Sequence, residues 1–567
     1  MRRFALLLSL PLTLSLIDAA PETHQHPPAS APAKPAPGKT APRKPAPDKN
    51  TSFLPGMGSL HHPIATTSRD AQRYFDQGLT LIYGFNHVEA IRSFEKAAAL
   101  DHNAVMPLWG IAYALGPNIN MGMDEEANKK AVATTEKAMA LAGKAPDNER
   151  AYVEALTRRY SAGAGTDRAK LDEAFAKAMG DLSKQYPDDL DAATLYAEAL
   201  MDLRPWRLYD QEGKPAPGTE NIVSVLESVL RRQPDHVGAN HYYIHAVEAS
   251  NQPERALPSA QRLQNLVPGA GHLVHMPAHI YARTGDYSAA SQSNADAAKS
   301  DEAYTRLTGT TGMYRYMYSA HNLHFLAYSA AMEGRYDVAK KAATDLQAIT
   351  TPGYKEIKEL EFMLPTSFLV DLRFSRWDAV LAAKEPSEKA LTTRALWHYA
   401  RGSAFAATGK LHRAEAERKD FEKLAEQVAD DTPYSGTLIT TAKMVLEVAR
   451  HALDARIAGA RTDHDAAIEA WTAAVEAQDK LTYDEPPPWF YPVRESLGGE
   501  LLRAGRAQEA EKVFREDLED HPRNPRTLSG LLESLKAQHK EADAAWVSRQ
   551  LQTAWKGGDT APRSADL

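Results

Sequence analysis

The sequence predicts an all-α fold, a superhelical solenoid built from helical hairpins. Three observations carry that expectation. Beyond residue 55 the chain consists of alanine-rich amphipathic runs broken by Gly, Asp, Asn and Pro at hairpin intervals. His241 and His275 stand 34 residues apart, and so do His245 and His279, an interval that matches a two-helix repeat. The 567 residues are 43% hydrophobic and 25% charged, enough apolar content to bury a long continuous core.

Taken in chain order, the N-terminus reads as an export signal. Arg2 and Arg3 precede an apolar stretch from Phe4 to Ile17, too short to span a bilayer, and Ala19 and Ala20 are small residues suited to cleavage, so residues 1–20 are assigned to a signal peptide. Residues 21–54 are rich in Pro, Ala and Lys, and the prolines favour an extended, disordered linker. These features predict an exported chain, periplasmic or secreted, with no membrane span after signal cleavage. The absence of cysteine means that an exported fold must stand without disulfides, and it removes thiolate metal sites, CxxCH haem attachment and cysteine nucleophiles. A formal net charge of −8 offers no basic field for phosphates, so no nucleic-acid partner is expected.

The segment YFDQGLTLIYGFNHVEAIRSFEKAAALDHNA resembles a tetratricopeptide repeat: Gly78, Ala90, Phe94 and Ala97 occupy its small and aromatic packing positions, with His102 where the consensus has proline. WFYPVRESLGGELLRAGRAQEAEKVFREDLEDHPRNP matches further, with Gly498, Gly505, Ala510, Phe514 and Pro522 in phase. Pro234, Ala256 with Pro268, Gly285 with Ala290, Gly334 with Ala339, and Gly409 with Ala414 mark repeats between them. The resemblance implies a right-handed superhelix over residues 55–555, followed by a flexible tail at 556–567. Two stretches break the period, near 204–220 and 305–319, and insertions in solenoids tend to border the binding face.

Phasing the repeats starts one at Val237, one at Gly271 and one near Ala320. The first carries His241, His245 and Glu248; the second His272, His275 and His279; the third His321 and His324. At about 100° per residue each set falls within a narrow arc, and the resemblance implies that these first-helix positions line a concave groove. Pro277 removes one backbone hydrogen bond between His275 and His279 and should loosen that turn. The order HxxxHxxE, GHLxHMPxHI, HNLH is similar to a poorly characterised, His-rich group of exported bacterial tetratricopeptide-repeat proteins.

Seven of the chain's 20 histidines fall in this stripe. Solvated filler is the bland reading of such a groove. A peptide or protein partner held by Asn240, Tyr281, Arg283, Asn322 and Tyr328 beside the histidines is a second reading. The favoured one is a divalent transition metal (Zn, Cu, Fe or Mn) bound by His241, His245, Glu248, His275 and His279, with His272, His321 and His324 completing or supporting the site. HExxH is absent, since Tyr242 and Met276 follow the two key histidines, and no GxSxG, P-loop or dinucleotide fingerprint is present. A binding protein is therefore expected before a metal-dependent hydrolase or oxidoreductase.

Overall fold

The computed structural model describes residues 52–163, 167–555 and 557–559. The signal peptide, nearly all of the linker and the end of the tail assigned from sequence lie outside them. The described chain is all-α, an array of twelve helical hairpins from Arg69–Tyr83 with His87–Leu100 to Pro525–Ala537 with Glu541–Ala554. Only isolated bridges of β type occur among the described residues.

Local chemistry starts and stops these helices. Ser68, Asp189 and Asp286 accept the first free backbone N–H groups of Arg69–Tyr83, Leu190–Met201 and Tyr287–Thr308 through their side chains. Gly334 ends Ala320–Glu333 at φ 87°, a left-handed cap that a side chain would strain, and an added Cβ there would meet Trp555 at 2.0 Å.

Two hairpin junctions, one near each end of the array, share one contact. Phe94 lies between Gly78 of its own repeat and Gly110 of the next, and a Cβ on either would come within 2.5 and 2.7 Å of the ring. Phe514 sits in the same way between Gly498 and Gly530, at 2.4 and 2.2 Å. Glycine at both walls lets a whole aromatic side chain fill the inter-repeat space, and both rings are fully buried.

The solenoid does not leave its histidine-bearing helices facing an open groove. On one side the first hairpin and the segment before it pack against this region: the Phe85 ring lies 4.8 Å from that of His241, and the Gly269 N–H donates to Gly56 O at 2.9 Å. On the other side later repeats return to the same region, where Arg523 Nη2 donates to Thr284 O at 2.9 Å and Gln211 Nε2 donates to Lys480 O at 2.8 Å. The face expected to line an accessible groove is enclosed, because packing between repeats distant in sequence closes over it.

Both insertions contribute. Residues 202–218 wrap as turns over Val237–Val247, with Trp206 edge-on to His245 at 5.4 Å and Tyr209 Oη donating to Ala246 O at 2.9 Å. The second is shorter than its sequence boundary, since Tyr287–Thr308 continues helical to its Gly309 cap. A π-helical turn at Arg315–Ser319 then leads into Ala320–Glu333 and sets Tyr318 against His272 at 5.1 Å.

Candidate metal centre

Helices begin at Val237, Gly271 and Ala320, as the repeat phase expects. The second is interrupted at Met276, with Pro277 opening the segment Pro277–Arg283, and His279 N–H turns to Met276 O at 3.2 Å. Six histidines from the three helices form two adjacent trios. His241, His245 and His272 each bring a ring nitrogen within 4.8 Å of the others, and so do His275, His279 and His321. All are buried except His321, which is half-buried.

The protons on four of these rings can be read from their partners, because carbonyl and carboxylate oxygens accept only. His241 Nδ1–H donates to Tyr83 O at 2.6 Å. His245 Nδ1–H donates to Glu248 Oε1 at 2.8 Å, and His279 Nδ1–H donates to Glu248 Oε2 at 2.5 Å. His275 Nδ1–H donates to Asn294 Oδ1 at 2.6 Å; the Asn294 amide is oriented by its own bond from Nδ2 to Ala290 O at 2.9 Å. Each of the four therefore presents a bare Nε2 lone pair when neutral.

Those lone pairs converge. His275 Nε2 and His279 Nε2 are 2.7 Å apart, and His321 Nε2 is 3.0 Å from His275 Nε2. In the other trio His272 Nε2 is 3.1 Å from His241 Nε2, and the buried His245 Nε2 has no hydrogen-bond partner. Two acceptors facing each other at 2.7 Å repel unless a proton or a cation lies between them. Around a tetrahedral ion with metal–nitrogen bonds near 2.0–2.1 Å, ligand nitrogens stand about 3.3 Å apart, so the separations of 2.7, 3.0 and 3.1 Å would open by about 0.2–0.6 Å on binding.

The surroundings oppose protonation. Burial, followed by the neighbouring imidazoles, pushes His241, His272, His275 and His321 well below the usual 6.5. Burial also lowers His279, against the pull of Glu248. Burial alone would raise Glu248, but His279 and His245 hold its carboxyl below the ordinary range.

Glu248 lies beside the rings with one carboxylate oxygen on a histidine of each trio, and with His245 and His279 it forms a third group of ligand atoms within 4.8 Å of one another, so it can orient both rings or serve as a ligand itself. One sequence-predicted ligand takes another place. His324 belongs to neither trio: one step around the helix from His321 turns it towards Phe362, 5.7 Å away, where its buried Nδ1 has no partner.

The expected groove residues also separate. Asn240 donates to Pro234 O and His236 O, and Asn322 donates to Asp301 Oδ2, so both are buried structural contacts. Tyr281 is buried and reaches Gln264. Arg283 and Tyr328 alone of this group line an outer cleft of about 470 Å³ with Trp489 and Asp484. Arg283 is engaged there, donating to Glu248 O at 3.0 Å and Ser250 O at 3.1 Å.

An inner chamber of about 80 Å³ is lined by residues of both trios, His245, His272, His279 and His321, and by Trp206 and Met317. Asp484 and Glu485 line both spaces. Glu485 Oε2 approaches His279 Nδ1 to 3.0 Å yet has no hydrogen bond, and burial together with Glu248 pushes its carboxyl well above the usual range. Tyr83, Asn294 and Glu485 carried no sequence signal for this site, whereas Trp206 lies in the 204–220 insertion expected to border it.

No protein-family model matches the chain, and no curated protein matches it either. Solved helical-repeat structures do. Human IFIT1, crystallised as a dimer with m7Gppp-AAAA, is 12% identical over 79% of this chain and 90% of its own, at a TM-score of 0.32. Yeast Tom70 is 11% identical over 86% and 93%, at 0.28. Naa15/Naa10 bound to HypK-THB is 13% identical over 86% and 76%, at 0.24.

Proposed function

We propose that this protein is an exported solenoid that binds transition-metal ions in a buried imidazole centre. The observation that carries the reading is the contact between His275 Nε2 and His279 Nε2, two lone pairs aimed at each other over 2.7 Å with both Nδ1 protons committed to oxygens. A cation between them satisfies both nitrogens, whereas burial makes an added proton costly. The same tautomer logic at His241 and His245 supports a second binding point. Export rests on Arg2 and Arg3 before the apolar segment Phe4–Ile17 and on the small residues Ala19 and Ala20 after it. No helix among the described residues is long and apolar enough to cross a membrane.

The test is elemental analysis of untagged protein purified without chelator, beside a His275→Ala, His279→Ala variant of matched helical content. Stoichiometric metal in the parent and a loss in the variant are expected; equal metal content in the two would refute the proposal.

A further inference from the structure

We infer that the centre holds a pair of copper(I) ions, one on each histidine trio, with the inner chamber between them open to one small neutral ligand. The inference rests on the metal-binding reading above and adds nuclearity, metal and ligand class.

Nuclearity follows from the count and placement of nitrogens. The six rings divide into two trios that share no residue, each with ligand atoms within 4.8 Å of one another, and a third group, His245, Glu248 and His279, joins them. The trios adjoin: His245 and His279 have ring centroids 5.6 Å apart, and His272 and His275 5.9 Å. Glu248 ties them from behind, one oxygen to His245 and the other to His279, so a single carboxylate sets ring orientation in both. Four of the six rings also line the same chamber.

Metal choice follows from ligand type. Each proposed shell is imidazole only, with the nearest carboxylates behind the rings. Sites for manganese and non-haem iron ordinarily include carboxylate, whereas three imidazoles suit copper or zinc. Met121, Met317 and Met363 place thioethers in the chamber wall, a soft and polarisable lining. Glu248 stands behind the rings with its two carboxylate oxygens on His245 and His279, so it adds no oxygen donor to either trio.

Ligand size follows from volume. At about 80 Å³ the chamber is far below the roughly 300 Å³ at which drug-sized ligand pockets begin, and it offers room for two or three waters at about 30 Å³ each. Trp206 and Phe362 in its wall, together with the acids Asp484 and Glu485, favour a small uncharged molecule over an anion.

The experiment uses the full chain, stripped of metal and titrated anaerobically with copper(I) against a chromophoric chelator. Two coppers per chain are expected, with X-ray absorption giving three nitrogen neighbours per copper and a copper–copper scattering feature, and with carbon monoxide giving an infrared stretch at one per chain. His272→Gln and His321→Gln, checked for parental helical content, should each bind one copper and lose the copper–copper feature. One copper per chain in the parent, or sulfur in the first shell, overturns the pair and leaves metal binding standing. Two zinc ions held in preference to copper overturn the metal assignment. No binding of any transition metal overturns both this inference and the reading beneath it.

Discussion

Replacing Glu248 by Gln tests the orienting role of this residue with little change in volume. The carboxylate accepts from His245 Nδ1 at 2.8 Å and His279 Nδ1 at 2.5 Å and is almost fully buried. An amide has one accepting oxygen, so its NH2 group must face one of the two rings. That ring then moves its proton from Nδ1 to Nε2, and its metal-facing lone pair is lost. Loss of an outer partner of a metal-bound imidazole costs about 10–100-fold in affinity, or about 1.4–2.7 kcal/mol. His245 and His279 belong to different trios, so the weakening should fall on one ion more than the other, and a competition titration against a chelator should become biphasic. The removed negative charge adds to the loss for both ions. Affinity within twofold of the parent at both steps would refute the claim that Glu248 sets the tautomers.

Other expectations follow from the same geometry. Phe514→Ala empties the space between Gly498 and Gly530 and should cost about 3–5 kcal/mol in denaturant unfolding of the metal-free protein; a loss below 1 kcal/mol would contradict the Phe–Gly account of repeat packing. His324→Ala should leave metal content unchanged while His321→Ala lowers it, measured by elemental analysis, because only His321 joins a trio. His324 also carries a pH signature, since burial lowers it to about 3. Below the ordinary 6.5 the unfolded chain takes up a proton that the folded one refuses, so stability is lost as pH falls from 6.5 towards 3, by about 1.4 kcal/mol per pH unit. His324→Gln should therefore close on the parent in stability as pH falls from 6.5 to 5, and parallel curves would count against that burial. Trp206→Ala removes the ring that covers His245 and should speed metal release to an added chelator with stoichiometry unchanged; an unaltered rate would deny Trp206 a covering role.

The scaffold was legible because it is written locally and repeated. Helix starts at Val237, Gly271 and Ala320 follow from landmarks within each repeat, and Pro277 loosens its turn for a reason intrinsic to proline. The histidine stripe was legible for the same reason, since spacing along a helix determines which residues share a face. What lies opposite that face was not. The acceptors that hold the rings include a backbone carbonyl, that of Tyr83, which no side-chain pattern reveals, and Asn294 on the following helix. Spacing could not separate Glu248 as ligand from Glu248 as orienting base, because three residues beyond His245 serves either role. His324 shares an arc with His321, but sixty degrees of rotation crosses from the centre to the Phe362 side. Enclosure of the groove depends on Arg523 meeting Thr284 and Gln211 meeting Lys480, contacts across hundreds of residues that repeat phase does not encode.

The central claim is that the imidazole lone pairs converge on metal. Anomalous diffraction from crystals of the protein loaded with copper tests it most directly. The account predicts one anomalous peak about 2.0 Å from the Nε2 atoms of His275, His279 and His321, and a second at the same distance from those of His241, His245 and His272. Rings still in nitrogen–nitrogen contact, with no peak at either point, would contradict it.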